Sequence, residues 1–169
     1  MFKMFKKKSI KSPISGEVIE LSKIQDGVFS QKIMGEGVAI DSTGDIVYAP
    51  INGKIVVVAE TKHAFVIELE NGMELLIHVG LDTVNLKGEG FEVLVSMGEQ
   101  VKEGTPMLKI NRPLIESKGI SLITPVTITN HSEYNMNTCN VGNSVEGGKD
   151  TVIEFNKELK YKVNIYKYL

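Results

Sequence analysis

His63 and His78 are the residues of this 169-residue chain whose types and spacing could do chemistry together. A neutral imidazole is a good nucleophile at ordinary pH and can carry a phosphoryl group as a reactive phosphoramidate. A second imidazole beside it would donate a hydrogen bond to the phosphoryl oxygens and stabilise charge during transfer. Two imidazoles are also half of a tetrahedral zinc site, with water or a carboxylate in the remaining positions. Other chemistries find little support. No serine or cysteine sits in a nucleophile-elbow motif, and no phosphate loop or dinucleotide glycine pattern opens a helix.

The hairpin signal between them brings the two histidines together. Asn71-Gly72 divides two apolar runs, 64–70 and 73–80, the strongest short-range cue for a two-residue turn. With that loop, paired residue numbers sum to 143, so Phe65 faces His78 and His63 faces Gly80. His63 and Phe65 then share a face with His78, and the imidazoles are diagonal neighbours with Cβ atoms about 7–8 Å apart. A one-residue bulge would send one histidine to the other side. On this register Phe65, Ile67 and Leu76 accompany the histidines, while Ala64, Val66, Leu75, Ile77 and Val79 take the opposite face. Two polar rings are awkward in a core, so the histidine face is expected to be an apolar docking surface that includes Phe65 and Leu76.

The rest of the chain supplies the scaffold. Short runs rich in Val and Ile, over 17–21, 37–40, 54–59, 64–69, 73–79, 91–95, 107–110 and 121–129, alternate with Gly and Pro. That pattern predicts an all-β fold, an antiparallel β-sandwich or barrel–sandwich hybrid with tight corners. Only 113–118 offers a helical turn, with Pro near its start. An internal echo supports a duplicated motif: Pro13-Ile14-Ser15-Gly16-Glu17-Val18 returns as Pro50-Ile51-Asn52-Gly53-Lys54-Ile55, and Gly35-Glu36-Gly37-Val38 as Gly88-Glu89-Gly90-Phe91. Residues 152–155 read as a last core strand, 132–143 as an Asn-, Ser- and Thr-rich loop, and 161–168 as an added edge strand guarded by lysines.

Composition narrows the partners. The length suits one domain with a substantial core at 42% hydrophobic residues. No stretch approaches the ~20 apolar residues of a membrane span, the start lacks a secretory h-region, and Cys139 is the only cysteine. These features predict a cytoplasmic protein. The net charge of −2 divides unevenly: Lys3, Lys6, Lys7, Lys8 and Lys11 are unopposed in the first eleven residues, leaving 14 basic against 21 acidic side chains beyond. An acidic body argues against nucleic acid and for a basic protein partner. The start, with Met1, Phe2 and Phe5 on one helical face, could instead lie on anionic lipid through residues 1–11.

The runs Thr61-Lys62-His63-Ala64-Phe65, Glu74-Leu75-Leu76-Ile77-His78-Val79-Gly80-Leu81-Asp82-Thr83-Val84 and Leu86-Lys87-Gly88-Glu89-Gly90-Phe91 resemble the glucose-type IIA component of the bacterial phosphoenolpyruvate-dependent sugar phosphotransferase system. The similarity runs from about Ser12 to Phe155 and is weakest over 132–148 and after 155. Expected domains are therefore a basic arm over 1–11, the IIA domain over 12–155 and an extension over 156–169.

The resemblance implies a phosphocarrier. His78 matches the phosphorylated histidine, which carries phosphate on Nε2. His63 matches the second histidine that supports transfer, and Thr61 a residue hydrogen-bonded to it. Phosphate would arrive from the small carrier HPr and leave to a cysteine of a IIB domain. Asp26 and Asp82 match acidic residues that meet basic partner groups, and Val28, Phe29, Met34 and Val84 an apolar docking surface. Regulatory targets such as transporters or metabolic enzymes also belong to this family's repertoire, while sugar choice resides in the membrane component. No cofactor is required; Zn²⁺ at His63 and His78, completed by a partner's carboxylate, is a secondary expectation. The main alternative is a non-catalytic IIA-like regulatory or sensory module. A zinc peptidase would need a third ligand, for which only the distant His131 is left, and a biotin or lipoyl carrier would need a lysine where the hairpin tip reads Met97-Gly98-Glu99.

Overall fold

The computed structural model describes residues 6–157. Fourteen strands follow in chain order: β1 (Lys8–Lys11), β2 (Gly16–Glu20), β3 (Glu36–Ser42), β4 (Ile46–Tyr48), β5 (Gly53–Val58), β6 (Ala64–Glu68), β7 (Glu74–His78), β8 (Phe91–Val93), β9 (Gln100–Val101), β10 (Pro106–Ile110), β11 (Ile123–Ile128), β12 (Tyr134–Thr138), β13 (Ser144–Val145) and β14 (Thr151–Lys157). Two short helices, α1 (Gly27–Ser30) and α2 (Arg112–Ser117), interrupt them. An eight-stranded sheet in the order β13-β2-β3-β11-β7-β6-β5-β9 packs with two three-stranded sheets, β4-β10-β8 and β1-β14-β12. Every strand pair among the described residues is antiparallel. The result is the expected all-β sandwich, without a closed barrel.

The echoed sequences sit at matching joints. Pro13 and Pro50 each precede a strand that begins on the glycine three residues later, β2 at Gly16 and β5 at Gly53. A Cβ on Gly16 would collide with the Asp41 backbone, and one on Gly53 would stand 2.9 Å from the Glu68 carbonyl oxygen. Both corners therefore demand glycine. The two segments also bond reciprocally: Tyr48 N–H donates to the Pro13 carbonyl at 2.7 Å and Lys11 N–H to the Pro50 carbonyl at 2.9 Å. Each donor lies two residues before its own copy's proline and bonds to the carbonyl of the other's, so the duplication is built into the backbone pairing.

Three expectations need correction. Residues 132–143 are not wholly loop, because β12 pairs along β14 from Tyr134 to Thr138. Its alternation was hidden by asparagine, a poor strand former: Asn135 and Asn137 face water, while Tyr134 is buried with its ring 6.0 Å from that of Phe155. The expected basic arm is shorter, since Lys8–Lys11 forms β1 on the free side of β14 and Ile10 is wholly buried. Lys8 is therefore in a strand rather than on a lipid-facing helix. Met1, Phe2, Phe5 and the edge strand expected over 161–168 lie outside the described residues. The third correction is the register of the central hairpin, which bears directly on the histidines.

Candidate functional site

The hairpin joining β6 and β7 carries three loop residues, not two. Leu69 N–H donates to the Met73 carbonyl and Gly72 N–H to the Leu69 carbonyl, both at 2.9 Å. Gly72 takes φ +88°, the left-handed step that ends a three-residue hairpin loop, and Asn71 accepts from Met73 N–H at 3.0 Å through its side chain. The glycine thus serves the exit of the turn rather than its centre. Paired numbers sum to 142, and His78 lies opposite Ala64 rather than Phe65.

This one-residue shift reassigns the faces. Phe65, Ile67, Leu75, Ile77 and Val79 point into the main core. Phe65 is 0% exposed, so it is a core residue and not part of a docking surface. His78 shares the other face with Leu76, Ala64 and Val66, where a second apolar cluster gathers Leu76, Phe29, Leu21, Ile24 and Ala39. His63 nevertheless reaches His78, because it lies just before β6 and follows Lys62, whose φ of +64° takes the chain out of the pleat. The rings meet edge to face with centroids 4.8 Å apart. Non-glycine residues in the left-handed region store of order 1–3 kcal/mol each; Lys62 and Asp82 (φ +60°) flank the pair on both sides.

Hydrogen bonds fix each ring. His78 Nδ1–H donates to the Gly80 carbonyl at 2.7 Å; a carbonyl only accepts, so the neutral ring leaves Nε2 as a free lone pair. His63 Nδ1 lies 2.7 Å from the Thr61 hydroxyl. Burial pushes the pKa of both imidazoles below the ordinary 6.5. At His63 the charge of His78 adds to that push and hydrogen bonding at Thr61 opposes it; at His78 the Gly80 hydrogen bond and the carboxylates of Asp26 and Asp82 oppose it. Both rings are accordingly neutral near pH 7, the form a nucleophile requires.

The remaining expected residues differ in depth, and Phe29, Asp26 and Asp82 are the ones that reach His78. Asp26 caps α1, its carboxylate accepting from Val28 N–H at 2.9 Å and Phe29 N–H at 3.4 Å. That cap presents Val28 outward at 44% exposure and turns Phe29 inward, its ring 5.0 Å from that of His78. Phe29 and Leu76 are buried supports beneath the histidine, whereas Val28, Met34 and Val84 are exposed. Asp82 is exposed on the far side. Sequence reasoning missed Ile33, which at 67% is the most exposed large hydrophobic side chain among the described residues; its place between Lys32 and Met34, just ahead of Gly35, was the available signal. For a metal, His63 and His78 supply two nitrogen donors, and among the described residues no third His, Cys, Asp or Glu joins them. A tetrahedral ion there would take its other ligands from water or from outside the chain.

The sequence model for the phosphoenolpyruvate-dependent sugar phosphotransferase system EIIA 1 family matches residues 8–134. The chain belongs to that family. It is similar to the glucose-specific EIIA component of Staphylococcus aureus, with 43% identity over 146 residues that cover 86% of this chain and 88% of the relative. The corresponding protein of Oceanobacillus iheyensis is 47% identical over 122 residues, covering 72% of this chain and 74% of its own. Among solved structures, glucose permease IIA from Mycoplasma capricolum superposes with a TM-score of 0.84 at 32% identity, over 91% of this chain and 99% of that one. The EIIA chain is thus a phosphotransferase component with a phosphocarrier role in the system. No helix among the described residues is long and apolar enough to cross a membrane.

Proposed function

We propose that His78 of this EIIA chain accepts a phosphoryl group on Nε2 from the phosphohistidine of HPr and passes it to a cysteine of a IIB domain, at the cytoplasmic face of a glucose-type transporter. The observation that carries this reading is the Nδ1–H bond to the Gly80 carbonyl, which leaves a neutral ring with its Nε2 lone pair free. In acceptance, the bond from phosphorus to the HPr ring nitrogen breaks as a bond to His78 Nε2 forms, and the Nδ1 proton stays on the ring, donated to the Gly80 carbonyl. In donation, the IIB thiolate takes the phosphoryl group and His78 recovers its lone pair. Thr61 donates its hydroxyl proton to His63 Nδ1, which keeps the other ring nitrogen protonated as a donor toward the phosphoryl oxygens. Asp26 and Asp82 meet basic groups at the rim, and Val28, Met34 and Val84 supply the apolar contact.

Incubation with labelled phosphoenolpyruvate, enzyme I and HPr, followed by peptide mapping, tests the reading. Acid-labile, alkali-stable label on the His78 peptide is expected; no label there refutes the carrier role and restores the non-catalytic regulatory alternative. The same two neutral imidazoles would also hold Zn²⁺ when a partner's carboxylate completes the site. Zinc and phosphate would then compete at His78, so equal zinc affinity in the phosphorylated and free forms would refute a shared site.

A further inference from the structure

The turn after β7 is tied at every peptide around the acceptor of the His78 proton. Val79 N–H donates to the His63 carbonyl at 2.6 Å, and Leu81 N–H to the Ser121 carbonyl at 3.0 Å. The Val79 carbonyl accepts from the Thr83 hydroxyl at 2.6 Å, and Thr83 is 0% exposed. Between them the Gly80 carbonyl is left to face the imidazole. Gly80 has φ +83°, and a Cβ there would collide with the Thr83 methyl and stand 2.6 Å from the Ser121 carbonyl oxygen. Thr83 thus uses both branches of its side chain, the hydroxyl on the Val79 carbonyl and the methyl against the Gly80 backbone.

We propose that Thr83 is a positioning residue for phosphoryl transfer: it clamps the Val79–Gly80 peptides so that the Gly80 carbonyl holds His78 in the Nδ1–H tautomer, with Nε2 free. The proposal rests on the reading of His78 as the acceptor and adds what selects its reactive nitrogen. Thr83 itself touches neither phosphate nor partner. The physical cause is the usual one for an imidazole: the hydrogen bond at one ring nitrogen decides which nitrogen is left to react. Thr83→Val keeps the branched shape but leaves the Val79 carbonyl without its donor, freeing the Val79–Gly80 peptides to rotate. Thr83→Ser keeps the donor and loses only the methyl.

The test uses the full chain labelled with ¹⁵N, and reads the His78 ring by long-range proton–nitrogen correlation at a pH where both histidines are neutral. Wild type and Thr83→Ser should show the Nδ1–H form alone; Thr83→Val should show a mixture with Nε2–H. Acceptance from phospho-HPr should fall between about 10- and 100-fold in kcat for Thr83→Val, the loss typical when a partner that orients a histidine is removed, with KM for HPr unchanged. Thr83→Ser should restore the rate. A single Nδ1–H tautomer in Thr83→Val overturns the proposal, whatever that variant's rate or stability. If Thr83→Val does not fold, Thr83→Ala takes its place, and the same single tautomer there is equally fatal. Wild-type protein that takes no label on His78 refutes the carrier reading instead, and the tautomer comparison still decides what Thr83 does.

Discussion

Replacing His63 with alanine separates the two half-reactions of a phosphocarrier. The rings of His63 and His78 stand 4.8 Å apart edge to face, and His63 is both buried and bonded to Thr61. In the proposed transfer it is a donor held in place before the phosphoryl group arrives. Removing one such preorganised donor costs about 10²–10³-fold in rate, or roughly 2.7–4 kcal/mol of transition-state stabilisation. The loss should fall mainly on donation to IIB, where the incoming thiolate is itself negative and adds repulsion to an already anionic phosphoryl group. In acceptance the nucleophile is the neutral His78 ring, so the same missing donor matters less. His63→Gln keeps some hydrogen-bonding capacity and should fall short of the alanine loss, and Thr61→Val should be milder still. The assay is rapid quench of each half-reaction alone, phospho-HPr to EIIA and phospho-EIIA to IIB. Donation at the wild-type rate in His63→Ala would show that His78 works alone and that the pair is not a catalytic unit.

Other expectations follow from the same geometry. Phe65→Ala should cost about 3–5 kcal/mol of stability by denaturant titration while leaving the HPr association rate of the folded fraction intact; slower association at unchanged stability would restore Phe65 to the docking face. Because both histidine pKa values are lowered in the folded state, the unfolded chain binds more protons once the pH falls below about 6.5. Stability should be full above that pH and decline below it by up to about 1.4 kcal/mol per pH unit for each proton, until the folded pKa values are passed; a His63→Gln/His78→Gln double variant with the same acid-side slope would contradict this. Asp82→Lys should slow association with HPr at low salt and weaken its salt dependence, and an unchanged rate would remove Asp82 from the docking rim. Deleting residues 1–6 should reduce sedimentation with anionic vesicles, each lost lysine near the surface being worth about 1 kcal/mol; equal sedimentation would exclude that contact.

Nine strands, β2, β3, β5, β6, β7, β8, β10, β11 and β14, were legible because Val and Ile runs bounded by glycine or proline leave few other solutions, and α2 because Pro113 stands in its first turn; β4, β9 and β13, only two or three residues long, went unread. β12 was not legible, since its inward residues are only Tyr134 and Met136 among asparagines. β1 was masked by lysine: charge marked the segment as an arm, yet Ile10 is one of the most deeply buried side chains. Two of its lysines use the edge position well, with Lys8 in water and Lys11 donating to the Thr151 hydroxyl at 3.2 Å.

The histidine pair was found through a register that was off by one, which shows where the information lay. Alternation along the strands put Leu76 with His78, and that holds under either register because both lie on β7. It put Phe65 with His78 only through the turn, and the turn took three residues because Gly72 serves its exit. Had His63 lain inside the pleat, the corrected register would have sent its ring into the core. It escapes because Lys62 adopts a left-handed conformation at the mouth of the strand, a cost of order 1–3 kcal/mol that no periodicity argument anticipates. The same holds at Asp82, beyond the other histidine. Regular β-structure brings His78 to the surface of the sheet, and the irregular residues on either side bring His63 and the Gly80 carbonyl to it. The chemistry is therefore set by the backbone where the pattern breaks.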